Sequence, residues 1–118
     1  SQQRLQSLAQ GGDAQAIFTL GYNLLFDENG IRQDADFAGA KALLIEADKR
    51  GNNDASSLLM LYYDGQFGGE PDPVKLEAVL SNAARRGSGG AKLNYGMRFL
   101  GSPDAAQSST AMQYLKQA

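Results

Sequence analysis

Three stretches of the chain superimpose on one another: "GDAQAIFTLGYNL" from Gly12, "GNNDASSLLMLYY" from Gly51 and "GSGGAKLNYGMRF" from Gly87. Each glycine is followed at the same spacing by an alanine (Ala16, Ala55, Ala91), by a large residue (Leu20, Leu59, Tyr95), by Gly21, Met60 or Gly96, and by Leu24, Tyr63 or Phe99. A second run follows each of them. "AKALLIEADKRG" carries Ala40, Leu43, Ala47 and Gly51; "LEAVLSNAARRG" carries Leu76, Val79, Ala83 and Gly87; "AMQYLKQA" carries Ala111, Tyr114 and Ala118. The spacing inside each run is constant and only the connector between runs changes, so the glycine-to-glycine period is 39 residues and then 36. A period of this size marks a stacked array of supersecondary units, because one unit cannot bury its apolar face alone.

The spacing within the runs is helical. Ala16, Leu20 and Leu24 with Ile17 and Phe18, then Ala55, Leu59 and Tyr63 with Leu58, then Ala91, Tyr95 and Phe99 recur at three and four residues, and strand alternation is absent throughout. The second runs repeat this with Phe37, Ala40, Leu44 and Ala47, and with Leu76, Val79, Leu80 and Ala83. Asp34 with Asp36, Asp72-Pro73 and Ser102-Pro103-Asp104 read as N-caps, with Pro73 and Pro103 at first helical positions. Lys49-Arg50 and Arg85-Arg86 fall at the negative ends of helix dipoles, and Gly51 and Gly87 suit the left-handed position after a helix. Residues 1–11 end in the same way, with Leu8-Ala9 before Gly12. The chain therefore reads as one all-α domain over residues 1–118: a leading helix at about 1–11 and helical pairs at about 12–50, 51–86 and 87–118. Ala16, Ala55, Ala91, Gly21 and Gly96 place small residues where paired helices approach closely.

Other chemistry is sparse. "RRGSGGAKLNYG" offers Gly87, Gly89, Gly90 and Lys92, but Ala91 precedes the lysine where a phosphate loop needs glycine, and Leu93 follows where it needs a hydroxyl. No strand leads into it, as a dinucleotide fingerprint requires. "FDENGIRQDAD" gathers Asp27, Glu28, Asn29, Asp34 and Asp36, yet Gly30 comes too early for a calcium loop and the closing glutamate is missing. It reads as a solvated connector. "GQFGGEPDP" is a turn-rich connector whose Phe67 either folds back on the array or stands at a contact site. The chain has neither cysteine nor histidine, which removes disulfides, thiolate metal sites, the usual zinc ligand sets and the commonest general base. No metal, cofactor or catalytic residue is assigned, and an enzyme is the class that the residues favour least. A net charge of -2 gives no electrostatic reason to bind nucleic acid or an anionic membrane, and no apolar run reaches transmembrane length.

The pattern G-x-x-x-A-x-x-x-L-G-x-x-Y, a connector rich in aspartate, then A-x-x-x-x-x-x-A-x-x-x-G resembles the Sel-one-like repeat, a relative of the tetratricopeptide repeat. The resemblance runs from Gly12 to Ala118, with Leu24 in place of tyrosine in the first unit, Met60 in place of glycine in the second and no closing glycine in the third. It implies a right-handed superhelical α/α solenoid of three helix-turn-helix repeats. It also implies a non-catalytic adaptor, in a bacterial envelope, secretion or signalling setting, that binds a protein or peptide.

In arrays of that family the first helix of each pair lines the concave face. Counted from the small alanine, its inner positions here are Gln15, Phe18, Tyr22 and Leu25; Asp54, Ser57, Leu61 and Asp64; and Gly90, Leu93, Met97 and Leu100. The apolar members suggest a groove for a helix or an extended peptide, with Tyr22, Leu61 and Met97 as anchors and with Arg98 and Tyr62 at its rim. The alternative is that these side chains pack on the next unit, on another domain or on a second copy of the chain. An architectural spacer or assembly piece of a larger bacterial envelope or secretion protein is the competing function, and an immunity protein that blocks a secreted toxin is a special case of the adaptor. Ser1 stands where a start methionine would, so a processed chain is expected, exported or periplasmic, with the cytoplasm as the alternative. A fragment of a longer protein, monomeric or weakly self-associating, fits the same reading.

Overall fold

The computed structural model describes residues 1–118. Seven helices follow one another: α1 (Gln2–Gln10), α2 (Ala14–Leu25), α3 (Phe37–Lys49), α4 (Asn53–Tyr63), α5 (Pro73–Arg85), α6 (Gly89–Phe99) and α7 (Ala105–Gln117). Each packs mainly on the helix before and the helix after it. The molecule measures 48 × 29 × 22 Å and has a radius of gyration of 15.4 Å, against about 13.5 Å for a compact globule of this length. The helices are thus laid down along one long axis. None is long and apolar enough to cross a membrane.

The junctions α1–α2, α3–α4 and α5–α6 are built alike. Gly12, Gly51 and Gly87 adopt φ of 92°, 87° and 98°, and their amides donate to Ala9, Asp48 and Ala84. The next amides, of Asp13, Asn52 and Ser88, donate to Leu8, Ala47 and Ala83. This six-to-one and five-to-two pattern closes the last turn around a left-handed residue, and only glycine takes that φ without a Cβ penalty. The residue that completes it caps the next helix. The side chains of Asp13, Asn52 and Ser88 accept the amides of Ala16, Ala55 and Ala91 at 2.8, 2.8 and 3.2 Å.

Within the pairs the connectors differ. Asp36, Asp72 and Asp104 are the N-caps of α3, α5 and α7, and Pro73 opens α5. Two sequence expectations need correction. Pro103 does not begin a helix: Asp104 caps α7, so the proline lies one residue outside it. The first connector also holds a hairpin, β1 (Phe26–Asp27) with β2 (Gly30–Ile31), where no strand is expected. Strands of two residues are too short to show alternation, and their only sequence signal is the Asn29-Gly30 turn, with Gly30 at φ 110°.

The small residues lie at the helix crossings. Ala16, Ala40, Ala47, Ala55, Ala83, Ala91 and Ala111 are all buried, around Leu25, Leu44, Leu59 and Leu80, which have no or almost no exposure. One apolar cluster runs from Ile17 in α2 to Ala111 in α7. Only α1 has no buried residue.

Candidate interaction face

Helices α2, α4 and α6 occupy equivalent places in the three pairs, and side chains link them in order. Asn52 Nδ2 donates to Gln15 Oε1 at 3.0 Å, between the first turns of α4 and α2. Asn94 Nδ2 reaches Met60 Sδ at 3.9 Å, and Arg98 Nη2 pairs with Asp64 at 3.6 Å at the far ends of α6 and α4. Side chains thus tie α4 to both α2 and α6, although the main packing of each helix is on its chain neighbours.

Position by position, this face is uneven. Tyr22, Leu61 and Met97 stand in one register, six residues past Ala16, Ala55 and Ala91, and are 43%, 41% and 72% exposed. Leu93 and Leu100 are exposed as well. Gln15, Asp54, Ser57 and Gly90 are exposed polar or bare positions, and Phe18 and Asp64 are half-buried. Ser57 turns its hydroxyl back to the Asn53 carbonyl at 3.1 Å.

Leu25 is a correction. It has no exposure and belongs to the core. It is the last residue of α2, whereas Asp64 and Leu100 at the same count lie one residue past the ends of α4 and α6; still on the helix, its side chain turns into the core, and its carbonyl accepts the Arg32 amide at 2.7 Å. The rim residues are engaged within the chain. Tyr62 donates its hydroxyl to the Phe37 carbonyl at 2.9 Å, and Arg98 holds both Asp64 and the Asn94 side chain, the latter at 2.8 Å.

Next to this face lies a run of aromatic rings that the sequence does not announce. Phe18, Tyr22 and Phe26 follow at centroid spacings of 5.9 and 4.8 Å; Phe26 meets Phe67 at 6.2 Å, and Phe67 meets Tyr62 at 4.7 Å and Phe37 at 6.2 Å. Of the two expectations for Phe67, folding back is the one observed, because the rings of the hairpin, α3 and α4 offer it an apolar surface, edge-on at Phe26 and tilted at Phe37 and Tyr62. Phe37, Tyr62, Tyr63 and Phe67 line a cleft of about 300 Å³ with Lys41, Glu70 and Asp72 at its mouth. Lys41 Nζ stands 5.4 Å from the Tyr63 ring centre. Burial, aided by the negative charge of Asp36, pushes the Tyr62 hydroxyl up to about 12. Burial also raises Tyr63 and Tyr95.

On the opposite side of the junctions, two arginines bridge neighbouring pairs. Arg86, the C-cap of α5, donates from Nη2 to Ser56 Oγ at 2.8 Å, Asn53 Oδ1 at 3.1 Å and Asp48 Oδ1 at 3.4 Å, and the buried Ser56 hydroxyl donates to Asp48. Arg50, the C-cap of α3, reaches the Gly12 carbonyl at 3.3 Å and Glu46 at 2.8 Å. Both were expected only as cations at a dipole end. The carboxylates of the "FDENGIRQDAD" stretch serve local geometry: Asp27 accepts the Asn29 amide at 2.8 Å, Asp36 caps α3, and Asp34 pairs with Arg32 at 3.0 Å. That exposed pair lowers the Asp34 carboxyl and raises Arg32, chiefly through their hydrogen bond. Comparison with protein-family models, with curated proteins and with solved structures finds no match.

Proposed function

We propose that the chain is a non-catalytic interaction module, a solenoid of three Sel-one-like repeats behind a leading helix, that binds a peptide or protein along α2, α4 and α6. One observation carries this reading: Tyr22, Leu61 and Met97 recur at a single register in three alternate helices, α2, α4 and α6, and leave large apolar surface in water. An apolar row on helices joined by side-chain contacts fits a groove for a helix or extended peptide, and aromatic and methionine side chains are favoured anchors. The absence of a catalytic role is supported by the carboxylates, several of which are engaged as helix caps or ion pairs, and by a sequence without histidine or cysteine. The resemblance to the Sel-one-like repeat carries the proposed bacterial envelope, secretion or signalling setting.

The test is affinity capture from the native host with the wild-type chain beside the Tyr22→Ser, Leu61→Ser, Met97→Ser triple variant, both first checked for equal helicity and melting. The retained protein is then purified and titrated directly. A loss of at least tenfold in affinity, the scale of losing one buried anchor, is expected for the triple variant. Equal affinity of the two chains refutes the face, and retention of nothing by either favours the architectural spacer.

A further inference from the structure

The hairpin of the first connector carries a reactive bond that the interaction reading does not use. Asp27, Glu28, Asn29, Gly30 and Ile31 are all exposed, and the ladder that holds them is two residue pairs long. A ladder of that length opens easily at its tip, because no third strand supports it and its apolar contacts are confined to Phe26 at the base. Gly30 carries no side chain and has nothing within 4 Å of where a Cβ would be, so once its pairing with Asp27 opens no bulk on that side hinders approach to the Asn29-Gly30 bond.

We propose that Asn29 is a self-modification site, at which the Gly30 nitrogen closes a succinimide on the Asn29 side chain and water reopens it to aspartate or isoaspartate. The Gly30 amide loses its proton to solvent, and its nitrogen attacks the Asn29 side-chain carbon. The bond from that carbon to the amide nitrogen breaks, and the nitrogen leaves as ammonia with protons taken from solvent. Water then adds to one of the two ring carbonyls. Opening at the side-chain carbon restores the normal main chain with an aspartate. Opening at the main-chain carbon leaves the chain running through the side chain, longer by one methylene. One water is consumed and one ammonia released, with no oxidant or reductant.

The five other asparagines are held against this reaction. Asn23, Asn82 and Asn94 lie inside helices, where the following amide is committed to the helical ladder, Asn53 opens α4, and in all four a side chain stands on the next residue. Asn52 is an N-cap, with its side-chain oxygen on the Ala55 amide. At Asn29 the product has a structural effect. A carboxylate there joins Asp27 and Glu28 in one turn, adding one negative charge to a chain of net charge -2, and the isoaspartate form cannot keep Asp27 opposite Gly30. The hairpin then loses its register beside Phe26, the ring that stacks on Tyr22.

The experiment incubates the full chain in mildly alkaline buffer at body temperature, beside the free peptide of residues 26–32 and an Asn29→Gln variant. Peptide mapping with electron-transfer fragmentation separates aspartate from isoaspartate. When half of the free peptide has reacted, the folded chain is expected to carry succinimide, aspartate or isoaspartate at Asn29 and at no other asparagine, and isoelectric focusing is expected to show an acidic band that Asn29→Gln lacks. Intact Asn29 at that time overturns the proposal, and so does a reaction as fast at another asparagine.

Discussion

Gly96 and Gly21 hold the same place in α6 and α2, yet they tolerate a side chain differently. A Cβ on Gly96 would stand 2.6 Å from Leu115 Cδ2 and 3.1 Å from the Ala111 carbonyl; on Gly21 the nearest atoms are Leu43 Cβ at 3.3 Å and the Ala40 carbonyl at 3.4 Å. Alanine gains about 1 kcal/mol in helix propensity at either site, whereas overpacking costs about 1–3 kcal/mol. Gly96→Ala is therefore expected to be less stable than Gly21→Ala by about 1–3 kcal/mol, read from the midpoints of urea unfolding curves. Tyr62 gives a pH signature. Its hydroxyl ionises near 10.0 in the unfolded chain and near 12 in the fold, so between those values the unfolded state binds fewer protons and stability falls as pH rises. The Tyr62→Phe variant is expected to lose less of its melting temperature across that window than the wild type. The small residues at the crossings are legible in the sequence because helical spacing alone defines them. The partner of Tyr62 is not, since Phe37 lies 25 residues away and no local pattern joins the two.

At the scale of elements, the arginines before Gly51 and Gly87 separate two kinds of bridge. Arg86 closes a partly buried network in which Ser56 has no exposure and the Asp48 side chain retains 13%. Arg86→Met leaves that carboxylate and hydroxyl without their cation, and is expected to cost about 1–3 kcal/mol. Arg50 keeps nearly half of its side chain in water and pairs with an equally exposed Glu46, so Arg50→Met is expected to cost at most about 1 kcal/mol. Thermal melts of the two variants check the order. The helices are readable because apolar spacing recurs in each pair and Gly12, Gly51 and Gly87 mark the ends of α1, α3 and α5. The hairpin and the place of Pro103 are not. Two-residue strands carry no periodicity, and Asp104 takes the cap in place of Ser102 by accepting the amides of Ala106 and Gln107, which leaves Pro103 outside the helix.

For the whole molecule, chain-neighbour packing along one axis follows from the repeated spacing, and it brings the predicted residues of α2, α4 and α6 onto neighbouring helices. Leu25 departs from that pattern because α2 extends to it, while α4 and α6 end one residue before the equivalent Asp64 and Leu100. The aromatic run is not legible in the sequence because its members come from three helices, a hairpin and one further connector, and only tertiary packing brings them together. The junctions at residues 11–13, 50–52 and 86–88 have a consequence of their own. Each has three residues, and all three are engaged at once, ending one helix, turning the chain and starting the next. No residue is left over to absorb an insertion, whereas the connectors 26–36, 64–72 and 100–104 already differ in length from pair to pair. New peptide sequence, such as an epitope or a protease site, therefore belongs in those three loops, and the same graft at a junction would throw every later helix out of step.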